Sequence, residues 1–140
     1  MTDRIPGGRP RRGQALVEFA LVLPLLMLVL FGIVEFGRAW NAKQVLTDAA
    51  REGARLAVVG DLTVTQVQVE TRIRQVISRA GFDSTQVTIA FPDGFKTGTG
   101  NITSVGLSLP FRFVALHRLA ALVTNNGVMT LRTTARMRNE

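Results

Sequence analysis

The chain has 140 residues, with 17 Lys plus Arg against 10 Asp plus Glu, a single His, no Cys and no Tyr, enough for one modest domain. Without Cys, disulfide frameworks, thiol catalysis, iron-sulfur clusters and Cys-rich zinc sites are excluded, and any catalytic triad would depend on the lone His117. The formal charge of +7 would usually raise nucleic acid as a partner, but residues 1–13 hold four Arg against one Asp, so nearly half the excess precedes an apolar run.

Residues 1–13 read as a basic leader. Residues 19–34 carry no charge, and with Ala15, Leu16 and Val17 the apolar stretch reaches about 20 residues, interrupted by Glu18. A hydrocarbon core of about 30 Å needs about 20 helical residues at about 1.5 Å each, so this segment can cross a bilayer. It is apolar on every face, which ill suits a helix in a small soluble domain. Arg4, Arg9, Arg11 and Arg12 lie before it, and basic flanks stay in the cytoplasm, which predicts a single-pass, N-in, C-out helix in the cytoplasmic membrane. A secretory signal peptide would have a shorter apolar core and a small-x-small site after it. Here Glu35, Phe36, Gly37, Arg38, Ala39 and Trp40 follow, and Trp40 suits the membrane interface. Pro24 removes one backbone donor and is expected to kink the helix. Gly32 and Gly37 are expected to give flexibility or close contacts.

Glu18 is the most informative residue. A carboxylate inside an apolar helix costs at least a few kcal/mol and normally has a partner, yet no Lys or Arg shares the span and Arg12 is six residues away. Cutting the chain between Gly13 and Gln14 would create an α-ammonium one helical turn from Glu18. In an assembly, that ammonium on one subunit could neutralise Glu18 of its neighbour and fix the axial register. The competing reading is an uncleaved anchor in which Glu18 snorkels to the cytoplasmic headgroups.

Beyond the span, Val45, Leu46, Ala49, Ala50, Gly53, Leu56 and Ala57 recur at spacings of three and four, so one long helix is expected over residues 14–59, with Gly60 and Asp61 ending it. Residues 60–140 then read as an exported domain. A second helix is expected over 65–80, with Val69, Ile73, Val76, Ile77 and Ala80 on one face and Arg72, Arg74 and Arg79 solvated. Strands are expected over 87–91, 102–113 and 128–137, the first two forming an antiparallel hairpin through Pro92-Asp93-Gly94 and a Gly-rich loop. A short helix over 114–123 and a turn at 125–127 lead to the last strand. There Thr130, Arg132, Thr134, Arg136 and Arg138 share a parity opposite Met129, Leu131, Thr133, Ala135 and Met137. The sheet can bury its apolar face on the long helix, giving an α+β, pilin-like architecture.

No catalytic, cofactor or metal site emerges. The Gly-rich segment 94–100 lacks the Gly-Lys-Ser/Thr ending of a phosphate loop. His117 has no evident Ser or Asp partner, and the Arg residues of the last strand are not interleaved with aromatics as in a nucleic-acid stacking platform, so no nucleic-acid partner is expected.

Residues 13–19, Gly-Gln-Ala-Leu-Val-Glu-Phe, placed after Arg11-Arg12 and at the mouth of a span, resemble the prepilin peptidase site of type IV pilin-like proteins. More narrowly, residues 11–38 and the run Ala49-Ala50-Arg51-Glu52-Gly53-Ala54-Arg55 resemble the TadE-like pseudopilins of the Tad (Flp pilus) system. Leu109-Pro110-Phe111 and residues 127–138 are similar to that family's closing pattern. Flp major pilins typically have Tyr after the glutamate and little beyond the helix, whereas this chain has Phe19 and a long C-terminal part, which favours the pseudopilin class. The resemblance implies cleavage between Gly13 and Gln14, orientation by Arg11 and Arg12, and subunit docking through Glu18 and Phe19. It also implies partners: a prepilin peptidase, other pilin or pseudopilin subunits, an inner-membrane pilus platform and the lipid bilayer. Whether such a subunit enters an extracellular pilus or stays at its base is left open, as is the rival reading of a permanently anchored, single-span binding protein.

Overall fold

The computed structural model describes residues 12–58, 64–95, 100–122 and 124–139. Arg11, the helix end expected at Gly60 and Asp61, and part of the Gly-rich loop lie outside the described residues. Helix α1, Arg12–Val58, is followed by α2, Gln66–Arg79, then strands β1, Thr88–Ala90, and β2, Ile102–Arg112, a single helical turn α3, His117–Ala120, and β3, Val128–Arg138. The three strands form one antiparallel sheet in the order β1-β2-β3. The chain is therefore α+β, a long helix carrying a small helix-and-sheet domain.

With 47 residues, α1 is about 70 Å long. It begins two residues before the expected start and passes through Pro24 without a break. No residue from 13 to 34 is buried. In the second half Ala42, Leu46, Ala49, Ala50, Ala54 and Ala57 are buried under the domain. α2 supplies Val69, Ile73 and Ile77 to that core, and β2 supplies Val105, Leu107 and Leu109. Small side chains on α1 let the other two layers approach closely. At Gly53 the limit is reached, since a Cβ there would lie 2.5 Å from Ile73 Cδ1.

Local chemistry explains the boundaries. Thr65 caps α2 reciprocally with Gln68, the hydroxyl accepting from the Gln68 N–H and the Gln68 side chain accepting from the Thr65 N–H. Gly81, at φ +82°, closes it. Gly94 turns the chain after β1, its N–H donating to the Phe91 carbonyl at 3.0 Å, and Ser104 of β2 hydrogen-bonds Asp93 in the same turn. Residues β2 and β3 pair from Ile102↔Arg138 to Arg112↔Val128, with the expected parity on β3.

Four details depart from the sequence expectations. Ala80 caps α2 and is exposed. Arg72 is half-buried against Glu52 of α1 and Arg74 hydrogen-bonds the Ser84 carbonyl, so two of the three arginines assigned to a solvated face are engaged by neighbours, while Arg79 is exposed. Met129 is exposed although its parity points inward, because it sits at the end of the sheet beyond the core. The helix expected over 114–123 is reduced to four residues, and the Val114 and Ala115 N–H groups ahead of it donate to Glu35.

Candidate functional site

Three glutamates stand along α1: Glu18 in its exposed half, Glu35 at the junction and Glu52 under the folded domain. Glu18 lies in the exposed half, where the Gln14 side-chain amide donates to its Oε1 at 3.1 Å across one helical turn. This donor is neutral rather than cationic, and it stands at the i, i+4 spacing that brings side chains together on a helix. Phe19 beside it is 59% exposed. Gly13 is helical, and a Cβ there would meet no atom within 4 Å. Among the described residues, no packing contact requires glycine at position 13. Arg12 opens α1. Pro24, further along, leaves the turn before it short of one backbone donor.

Glu35, the first residue after the uncharged run, is 2% exposed. Its Oε1 accepts from the backbone N–H groups of Val114 and Ala115, each at 2.7 Å, and its Oε2 pairs with Arg38 at 2.6 Å. The Arg38 guanidinium also lies over the Phe111 ring, 5.3 Å from its centroid. Burial opposes ionisation of Glu35, but the two N–H groups and Arg38 outweigh it and hold the carboxyl below its ordinary value. The end of β2 and the segment after it are thus clamped to α1 where the apolar run stops. The sequence carries no local signal for this clamp, because the N–H partners of Glu35 lie 79 and 80 residues away.

Higher on α1, Glu52 ties the two helices together. It accepts from Arg55 at 3.0 and 3.1 Å and from Arg72 of α2 at 3.4 Å. The bond to Arg55 lowers the Glu52 pKa, partial burial opposes this, and Arg72 adds to the lowering. Lys43 donates to the Arg132 carbonyl, and the Thr47 and Thr133 hydroxyls approach to 3.3 Å, fastening β3 to the same helix. His117 is exposed at the start of α3, against Gly127. Among the described residues, no group of three or more His, Asp or Glu side chains is gathered as a metal site would require.

The helix from Gly13 is the one candidate membrane span among the described residues, and its most apolar window is wholly unburied. That fits a single-pass membrane protein. Residues 13–55 match the family model described as TadE-like protein, which is all of α1 except its first residue and its last three. The family is a structural one and implies involvement in Tad pilus assembly. No curated protein and no solved structure matches the chain.

Proposed function

We propose that this chain, TadE-like over residues 13–55, is a minor pilin-like subunit, a pseudopilin, that helps to initiate or organise a Tad (Flp-type) pilus. The observation that carries the reading is the division of α1: its TadE-like first half leaves its apolar side chains unburied around one carboxylate, while the folded domain covers only the second half. A surface of that size and polarity suits lipid first and packed neighbouring helices afterwards.

In this reading Arg11 and Arg12 hold the leader in the cytoplasm and set the N-in, C-out orientation. A prepilin peptidase recognises Gly13 and cuts before Gln14, leaving Glu18 as the fifth residue of the mature chain. The new ammonium and the Gln14 amide then both lie within one turn of Glu18. Glu18 docks against the N-terminus of an adjacent subunit, with Phe19 packing beside it, and a kink at Pro24 adapts the helix to its neighbours. Other pilin or pseudopilin subunits and the inner-membrane platform are the partners, and assembly rather than catalysis is the activity.

The test is terminal-peptide and intact-mass analysis of the protein recovered from membranes that contain its own peptidase. A chain beginning at Gln14 is expected. Glu18→Ala is expected to insert normally but to lose pilus assembly or pseudopilin pairing, and normal assembly in that variant would remove the docking role. One observation favours an uncleaved, membrane-anchored binding protein instead, namely that Gln14 already gives Glu18 a donor within the intact chain. That reading requires a chain that still begins near Met1.

A further inference from the structure

Three contacts define how β2 lies on α1. Val105 stands beside Gly53, Phe111 lies under Arg38, and the Val114 N–H reaches Glu35. Descending β2 therefore means descending α1 toward its apolar half, and β3 climbs back from Val128. The described residues of the connection between the two strands sit at the end of the domain where the uncharged run of α1 begins.

That connection is unusually apolar on its surface. Val114 is 71% exposed, Leu119 49% and Leu122 82%, and they share the segment with exposed Arg112 and Arg118. On α1 at the same level, Phe36 and Trp40 stack at 6.1 Å, both more than half exposed. Aromatic rings in a pair at the end of a span, large aliphatic tips and flanking arginines form the combination that an interfacial lipid layer accommodates.

We propose that the β2–β3 connection is a second membrane contact: Val114, Leu119 and Leu122 enter the interfacial layer of the bilayer that α1 crosses, with Arg38, Arg112 and Arg118 at its headgroups. The occupant is lipid because Glu35, which accepts the Val114 and Ala115 N–H groups at 2.7 Å, directly follows the lipid-facing run, so the patch continues that surface. The inference rests on reading α1 as a membrane span. Its consequence is that the domain is held by two points and stands at a fixed tilt on the membrane rather than swinging on one helix.

The absence of native Cys allows a direct test. Full-length protein carrying Leu119→Cys or Leu122→Cys, each labelled with an environment-sensitive fluorophore, is reconstituted at low protein density in vesicles of phosphatidylcholine and phosphatidylglycerol. Both positions are exposed, so neither exchange touches the core. Lipids with quenchers at shallow or deep positions then report depth. Both labels are expected to show blue-shifted emission and stronger quenching by the shallow probe, and this quenching is expected to weaken when phosphatidylglycerol is omitted. Leu28→Cys, inside the span, is expected to respond to the deep probe. Val67→Cys, 71% exposed on α2, whose Ile73 meets Gly53 at a point on α1 about 27 Å above Glu35, is expected to stay unquenched. If Leu28→Cys is quenched but the two loop labels behave like Val67→Cys, the contact is overturned and the span stands. If Leu28→Cys is also unquenched, both fail. Shielding of the loop labels that appears only at high protein density would identify a second protein copy and overturn the assignment to lipid.

Discussion

The two halves of α1 are continuous in backbone and opposite in side-chain size. Below Glu35 the helix carries Leu, Val, Phe and Met, all uncovered; above it the buried positions are Ala42, Ala49, Ala50, Gly53, Ala54 and Ala57, with Leu46 the single large member. Lipid tails conform to any side chain, so size there adds apolar area without a packing penalty. A sheet and a second helix are rigid neighbours and demand close approach. One helix can therefore be soluble in two media, and the residue volumes mark where each begins.

Charging the lower half has the largest expected effect. Leu25→Arg combined with Leu28→Arg costs about 5 to 7 kcal/mol of insertion free energy, so the protein is expected to become extractable from membranes by carbonate while amide exchange in α2 and β2 is unchanged. At the junction, Glu35→Ala leaves two N–H groups and Arg38 unpartnered and is expected to cost about 2 to 4 kcal/mol, read as a fall in unfolding midpoint with faster exchange at Val114 and Ala115. The pH dependence has a definite sign. Because the folded-state pKa of Glu35 is lowered, its contribution is complete above the unfolded value and is lost as pH falls through the folded one. Acidification through the carboxylate range should therefore destabilise the wild type more than Glu35→Gln. In the upper half, Gly53→Val must displace Ile73 and is expected to cost about 1 to 3 kcal/mol, whereas Gly37→Ala, which meets no other atom within 4 Å, should be neutral or stabilising by up to about 1 kcal/mol. Smallest is Glu52→Gln. Its pair with Arg55 is solvent-screened and that with Arg72 is long, so a loss under about 1 kcal/mol is expected from denaturant titration.

The features that were legible in the sequence are those governed by local periodicity. The long helix, the face of alanines, the hairpin turn at Gly94 and all three strands follow from spacings of three to four or of two, and the structure places the elements within a few residues of those expectations. What escaped depends on partners distant in sequence. Glu35 carried no local sign of its role because its N–H donors lie 79 and 80 residues away. Arg72 looked solvated because Glu52 lies on another helix. Glu18, singled out for want of a cationic partner in its span, accepts from a neutral amide, that of Gln14, at a spacing visible in the sequence.

The course of β2 along α1 has a mechanical consequence. Between Val105 and Phe111 the strand spans about 20 Å, while α1 rises about 22 Å from Arg38 to Gly53, so strand and helix run nearly side by side. The ladder joining β2 to β3, eleven residue pairs long, is consequently aligned with the helix axis. Tension applied along that axis loads the pairs together in shear instead of peeling them apart in succession, and a domain of three strands gains a resistance to pulling that its size alone would not supply.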